Sequence, residues 1–553
     1  MVFARRSTTL LAAIIASCAM VLSLTACTSD NKTVVDGQTT VTSNSAGGVA
    51  VFTPSDGITL NQQMPLNKWA KLVPDLTKAL VDAGFKKGDI NHTTSDSLDK
   101  QSRAIQDFVV DHLSNNTTDD SGIAIAPDNM TLLVAPVVEA DASTRQYGDY
   151  VSQNLSTNDV TDEGATSDGE SSEDDSSKDD SSKDDSSKDD SSNTESDSTA
   201  SDEQAQAVDR LVSSLKLAKE SGMHVVLLGN SIEGYKPDAF VKFSDAQTIG
   251  KLQAEKMVSK LKLDKASKDN PKYIEVLLPY TAMDEKGNAN DSTFAQEAFR
   301  GIWQVLGSYY QKGVVESPSG TLDGKSTEND WQAVAYDAAK EGSTAKVLDK
   351  RLAKTDGQST LTRIDGIITM NDYIASEVVK ELDDLGYTGS AADINPQITI
   401  SGIVGNITGK KDLSRDAVPD PIKSPENDNA NDSSSSDDDA DKDTSASDKD
   451  RDSQWPLVTG YGAYVSNIPS IVNGKQWMTG MEDRQTIATD IAQACAKLNK
   501  DEALNSMPSI RNSEVGGVKK IPTISEPLLA VSASNLKSAL IDPGYISLAD
   551  AGL

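Results

Sequence analysis

Along this chain, short continuous apolar runs alternate with stretches in which apolar residues recur at helical spacing. Val49-Ala50-Val51-Phe52 is the first run and predicts a strand. After a loop, Trp69, Leu72, Val73, Leu76 and Leu80 line one face of a predicted helix that ends near Gly84. Gly122–Ala126, Val225–Leu228, Ile274–Leu278, Ile364–Ile368 and Ile398–Ile400 predict further buried strands, each followed by a helix-like segment. Continuous apolar runs alternating with helices predict parallel sheets covered on both faces, because a half-exposed strand would alternate apolar and polar residues. About 450 residues carry this pattern, too many for one sheet, so two α/β lobes are expected.

Two segments break the pattern. From about Ser156 to Glu203 the chain is Ser, Asp, Glu and Lys, with Asp174-Asp175-Ser176-Ser177-Lys178 recurring every five residues to Ser192. A second tract runs from about Pro419 to Ser453 and includes Ser433–Ser436 followed by Asp437–Asp439. Neither holds the apolar side chains that would offset the entropy of ordering, so both are expected to be disordered insertions. A calcium loop would need a glycine turn and a closing glutamate at fixed spacing, and neither tract has them. The formal net charge of −33 argues against nucleic acid, whose phosphates would be repelled.

The N-terminus reads differently. Arg5 and Arg6 precede an apolar stretch from Thr9 to Leu24, shorter than a comfortable membrane span, and Leu24-Thr25-Ala26-Cys27 follows. This resembles a bacterial lipoprotein signal (residues 1–26), in which Cys27 becomes the lipidated first residue; residues 27–48 then read as a flexible tether. An extracytoplasmic protein anchored to the membrane by that lipid is expected. With Cys18 lost with the signal and Cys27 lipidated, Cys495 has no partner for an intramolecular disulfide.

The chain's chemistry is sparse. It has three histidines, and His224 stands at the start of a predicted strand, a structural position. There is no Gly-x-Ser-x-Gly elbow, no His-Glu-x-x-His and no paired-cysteine metal motif. Gly405–Lys411 is one residue short of a phosphate loop and lacks the Ser or Thr after its first lysine. Neither enzyme activity, nor a cofactor, nor a metal is expected.

Four motifs, in order, resemble type I periplasmic binding proteins, in particular the xylose- and multiple-sugar-binding branch that serves ABC transporters. They are Phe243-Ser244-Asp245 with Gly250; Ile367–Ala375, containing Asn371-Asp372; Ile471–Thr479, containing Gly474-Lys475-Gln476-Trp477-Met478-Thr479; and Asn535-Leu536 through Ile541–Ile546. The resemblance spans about Val49 to the C-terminus. It implies an α/β clamp of two Rossmann-like lobes joined by three hinge crossings: residues 49–247 with 482–525, and 248–481 with 526–553. A sugar would sit beyond the strand ends, where planar polar side chains pair with hydroxyls and aromatic faces cover C–H surfaces.

By that resemblance Lys68 and Trp69 stand at a family Arg-Trp, Trp331 at a cleft tryptophan and Asn371 at a sugar-bonding asparagine, with Asp372 beside it. Trp69 also lies on the apolar helix face, where core packing is the other reading, and Asn371-Asp372 also fits a helix N-cap. The family's Asp-Arg falls on Gly229-Asn230, its Gly-x-Asp strand end on Gly402-Ile403-Val404, an asparagine near Phe294, and a basic residue on Glu482. Each lost charge-assisted hydrogen bond is typically worth about 1.5–3 kcal/mol, so a simple pentose or hexose pocket is not expected. The implied partners are a carbohydrate-like solute and an ABC transporter permease; the alternative is a clamp without sugar transport that acts as a sensory or interaction lipoprotein.

Overall fold

A computed structural model describes residues 32–35, 38–41, 46–55, 65–115, 125–138, 144–157, 195–283, 289–353, 361–391 and 454–553, with backbone alone for 32–35, 38–41, 115 and 195–203. The signal segment, Cys27, most of both acidic tracts, Ile398–Ile400 and Gly402–Val404 lie outside the described residues. Within the first 44 residues, Lys32–Val35 and Gln38–Val41 pair as antiparallel strands.

Ser45–Leu553 forms the main body. Its first sheet contains β1 (Gly48–Pro54), β2 (Ile90–Ser95), β3 (Met130–Val134), β4 (His224–Leu228) and β5 (Ala239–Lys242), all parallel, in spatial order 2-1-3-4-5. The helices between them are α1 (Trp69–Asp82), α2 (Leu98–Asn115) and α3 (Glu195–Glu220). Alternate residues enter opposite layers. Val49, Val51 and Leu133 pack with α1, whereas Ala50, Phe52 and Leu132 pack with α2 and α3. That two-sided burial is why these strands are continuous apolar runs.

After β5 the chain crosses to the second lobe: α4 (Ala246–Leu261), β6 (Lys272–Val276), α5 (Thr293–Gln311), β7 (Val315–Glu316), α6 (Ser343–Arg351), β8 (Gly366–Ile368), α7 (Asp372–Leu385), β9 (Leu457–Tyr461) and β10 (Met478–Met481). Strands β6 to β10 repeat the 2-1-3-4-5 order. The chain returns through Glu482-Asp483 to α8 (Arg484–Leu498), which packs on α1, and to the hairpin β11 (Ile510–Val515) and β12 (Val518–Ser525). It crosses a third time to β13 (Leu529–Ser532), antiparallel to β10. Two doubly wound α/β lobes with mostly parallel sheets and three crossings are the architecture expected from the sequence.

The strand between β1 and β4 is Met130–Val134, which follows a turn at Pro127-Asp128-Asn129. Of the expected strand Gly122–Ala126, residues 122–124 lie outside the described residues and Ile125-Ala126 are not in a strand. The strand beside β8 is Leu457–Tyr461, on the far side of the second acidic tract, and the expected strand Ile398–Ile400 lies outside the described residues. β2 and the hairpin β11–β12 are edge elements with polar exposed positions, so they lack the continuous apolar signal.

α4 and α5 approach through glycines. A Cβ on Gly301 would lie 2.0 Å from the Gln247 carbonyl oxygen, and one on Gly250 would lie 2.2 Å from that of Ala298. Gly250, one of the motif residues, is therefore a helix-contact residue. Replacing a helical glycine with alanine normally gains about 1 kcal/mol of propensity, but overpacking against backbone costs roughly 1–3 kcal/mol or more. Gly301→Ala is expected to lower the urea midpoint with an unchanged denaturant slope; an unchanged or higher midpoint would show that the helices separate freely.

Candidate ligand cleft

The turns that follow β8 and β9 converge on one carboxylate. Asp372, at the start of α7, is fully buried. Its Oδ1 accepts from Gln476 Nε2 at 2.6 Å, and its Oδ2 accepts from Tyr464 N at 2.9 Å and Thr479 Oγ1 at 2.8 Å. Asn467 Nδ2 donates to Gln476 Oε1 and to the Asp372 carbonyl. Gly460 gives the carboxylate room, since a Cβ there would lie 2.2 Å from Oδ1. Burial pushes the Asp372 carboxyl up to about 6, although these hydrogen bonds act the other way. The Gly-x-Gln-x-Met-Thr and Asn-Asp motifs are thus the two halves of one buried network.

Asn371 caps α7, its Oδ1 accepting from Ile374 N at 2.9 Å. Its Nδ2 donates to Gln146 Oε1 at 3.0 Å. Gln146 belongs to residues 144–157, part of the connection between β3 and α3 in the other lobe. The Tyr464 hydroxyl donates to the Gln146 carbonyl at 2.7 Å. Tyr147, 1 % exposed, lays its ring 4.7 Å from Phe294 and 6.3 Å from Tyr461, inside the second lobe's core. Burying a ring this completely is worth roughly 2 kcal/mol.

The same segment also grips the first lobe. Asp149 Oδ1 accepts from Lys68 Nζ at 2.7 Å and its Oδ2 from Trp69 N at 3.0 Å. A carboxylate there satisfies a helix N-terminus that Lys68, the N-cap residue, cannot cap with its own side chain. Tyr150 stacks between Phe243 and the Trp69 edge, with ring centroids 4.8 and 5.0 Å away. Gln153 N donates to Asn230 Oδ1 at 3.0 Å, and Asn230 Nδ2 donates to the Pro136 carbonyl at 2.9 Å.

Of the residues predicted to contact ligand, Lys68, Trp69, Asn230 and Asn371 therefore all meet residues 146–153 of their own chain. The Trp69 indole is core, packed edge-on to Tyr150 and Phe243. Asp372 is the hub of the internal network. Trp331, 9 % exposed, begins a one-turn helix and meets Tyr280 edge-to-face at 5.1 Å, beyond the end of β6.

Glu482 lies in the second crossing. Its Oε1 accepts from Ser244 N, in the first crossing, at 2.6 Å. The Tyr461 hydroxyl bridges Ser244 Oγ and the same carboxylate oxygen. Glu482 is thus a carboxylate that ties two crossings together. Burial pushes Glu482 up to about 7.

The residues missed by sequence reasoning are Gln146, Tyr147, Asp149 and Tyr150; Gln476 and Thr479 stood in a motif without an assigned role. Arg145-Gln146-Tyr147-Gly148-Asp149-Tyr150 did carry a signal: an aromatic-rich stretch just before a tract that has almost no aromatics.

No family model matches this chain, and no curated protein matches it in sequence. Among solved structures it is similar to an ABC transporter solute-binding protein from Clostridium phytofermentans with bound β-D-glucose. Identity is 17 %, coverage is 91 % of this chain and 99 % of that one, and the TM-score is 0.43. A carbohydrate transporter solute-binding protein from Chloroflexus aurantiacus in complex with D-glucose gives 17 %, 92 %, 98 % and 0.42. A periplasmic ribose ABC transporter protein from Conexibacter woesei gives 12 %, 90 %, 96 % and 0.41.

The Glu482 carboxyl makes the clamp sensitive to pH. Its folded value is raised from 4.5 to about 7, so its contribution to stability is complete below about 4.5 and is lost as pH rises through 7. A shift of this size corresponds to about 3 kcal/mol. Glu482→Gln is expected to flatten the fall in unfolding free energy between pH 5 and 8, leaving the smaller decline from Asp372. Denaturant curves with the same slope in both proteins would contradict this.

Proposed function

We propose that this protein is an extracytoplasmic binding protein, anchored through a lipid on Cys27, that takes a carbohydrate-like solute between its lobes and presents it to an ABC transporter permease. The role is binding rather than catalysis. The observation that carries it is the placement of recognition chemistry where a doubly wound clamp binds ligands. The Asn371 amide and the Trp331–Tyr280 aromatic pair lie just beyond strand ends of the second lobe, and three crossings let that lobe swing against the first. An amide pairs with hydroxyls and an aromatic face covers a sugar's C–H surface. Closure on solute would be the state the permease reads.

A second reading, a clamp acting as a surface sensory or interaction lipoprotein, is favoured by the engagement of Lys68, Trp69, Asn230 and Asn371 within the chain.

Thermal-shift measurements with D-glucose, D-xylose and maltotriose, followed by calorimetry, separate the two. The transport reading predicts that a sugar, most readily the oligosaccharide, raises the melting temperature, and that Trp331→Ala weakens its binding by about 1–3 kcal/mol. Absence of binding by all three sugars at millimolar concentration would favour the second reading. Unchanged affinity in Trp331→Ala would move the site elsewhere.

A further inference from the structure

The connection between β3 and α3 covers residues 135–194, whereas such connections in α/β folds usually take a few residues, and long ones are commonly functional. Its described part crosses the mouth of the clamp and presents to each lobe the chemistry a solute would present. Towards the second lobe it offers an amide oxygen to Asn371 and a ring to Phe294 and Tyr461. Towards the first it offers a carboxylate to Lys68 and the α1 N-terminus, a ring to Trp69 and a backbone donor to Asn230.

We propose that residues Gln146–Gln153 are a tethered internal ligand that holds the clamp closed without solute and competes with solute for the cleft. This builds on the reading of the chain as a two-lobe binding protein. The polar attachments are hydrogen bonds, which a sugar's hydroxyls can replace, and one ion pair, whose ammonium would donate to a hydroxyl oxygen instead. The segment touches both lobes, so its removal takes away bridging contacts, while Glu482 and Ser244 keep the crossings joined. A solute must bind the small fraction of molecules in which the segment has left, so its apparent affinity falls by that fraction. The internal ligand thereby sets a concentration threshold for capture.

The test uses the full mature chain carrying Cys27→Ser, with spin labels at Lys78→Cys on α1 and Lys340→Cys before α6. Both native side chains are largely exposed, and Cys495 is buried. Interlobe distances are measured by double electron–electron resonance with and without maltotriose. The unliganded protein is expected to give one short distance, which sugar leaves short because the solute-bound clamp is closed as well. The triple variant Gln146→Ala, Tyr147→Ala, Asp149→Ala is expected to give a longer, broader distribution, and any sugar affinity is expected to rise at least about tenfold. An unchanged short distance in a variant that circular dichroism shows to be folded would overturn the proposal. So would an open distribution in the unsubstituted protein. If the triple variant unfolds, Tyr147→Ala alone must still move the distribution outward, and no movement refutes the proposal. Opening of the variant without binding of any sugar would leave the internal ligand standing and count against the solute reading alone.

Discussion

A polar group taken out of water must be given a partner, and in a clamp that rule decides what the closed state can be. The strand ends of both lobes carry such groups by necessity: helix N-termini, turn amides and the side chains that cap them. In a clamp that closes on a solute, the solute supplies the partners. Here Asp149 supplies them to Lys68 and α1, Gln153 to Asn230, and Gln146 to Asn371. The closed arrangement is satisfied from within the chain, and the burial of Tyr147 and Tyr150 adds apolar contact to polar pairing.

Beneath that interface lies a second layer of pairing that is purely internal. Asp372 gathers Tyr464 from the turn after β9, Gln476 from the loop before β10 and Thr479 from β10 itself, so the start of α7 is tied to both neighbouring strands. Glu482 does the same for the crossings by bonding Ser244. Buried carboxylates are costly unless fully bonded, so these two positions tolerate little change, whereas the residues on the rim face whatever fills the cleft.

The fold was legible because two-sided burial writes itself into strands such as Val225–Leu228 as unbroken apolar runs, and because α1 shows its apolar stripe from Trp69 to Leu80. Edge strands did not show, since Ile90–Ser95 has mostly exposed side chains. β9 was missed because a long tract separates it from its neighbour β8. The site was legible only in part. The resemblance singled out Asn371 and Asn230, but it could not reveal that Asp372 faces inward to Gln476, 104 residues away. Nor could it reveal that Asn371 meets Gln146 across 225 residues. Long-range pairings of this kind depend on how distant segments meet, within a lobe or between lobes, which no local pattern encodes.

The central claim is that the cleft is filled by the chain itself. Hydrogen exchange of the solute-free protein, followed by mass spectrometry of peptides covering residues 144–157, tests it most directly. The Asp149, Ser152 and Gln153 amides bond to the Asn67 carbonyl, the Ser244 carbonyl and Asn230 Oδ1. They should exchange slowly, with protection approaching that of α1. Exchange of these peptides at the rate of an unstructured chain would contradict the account.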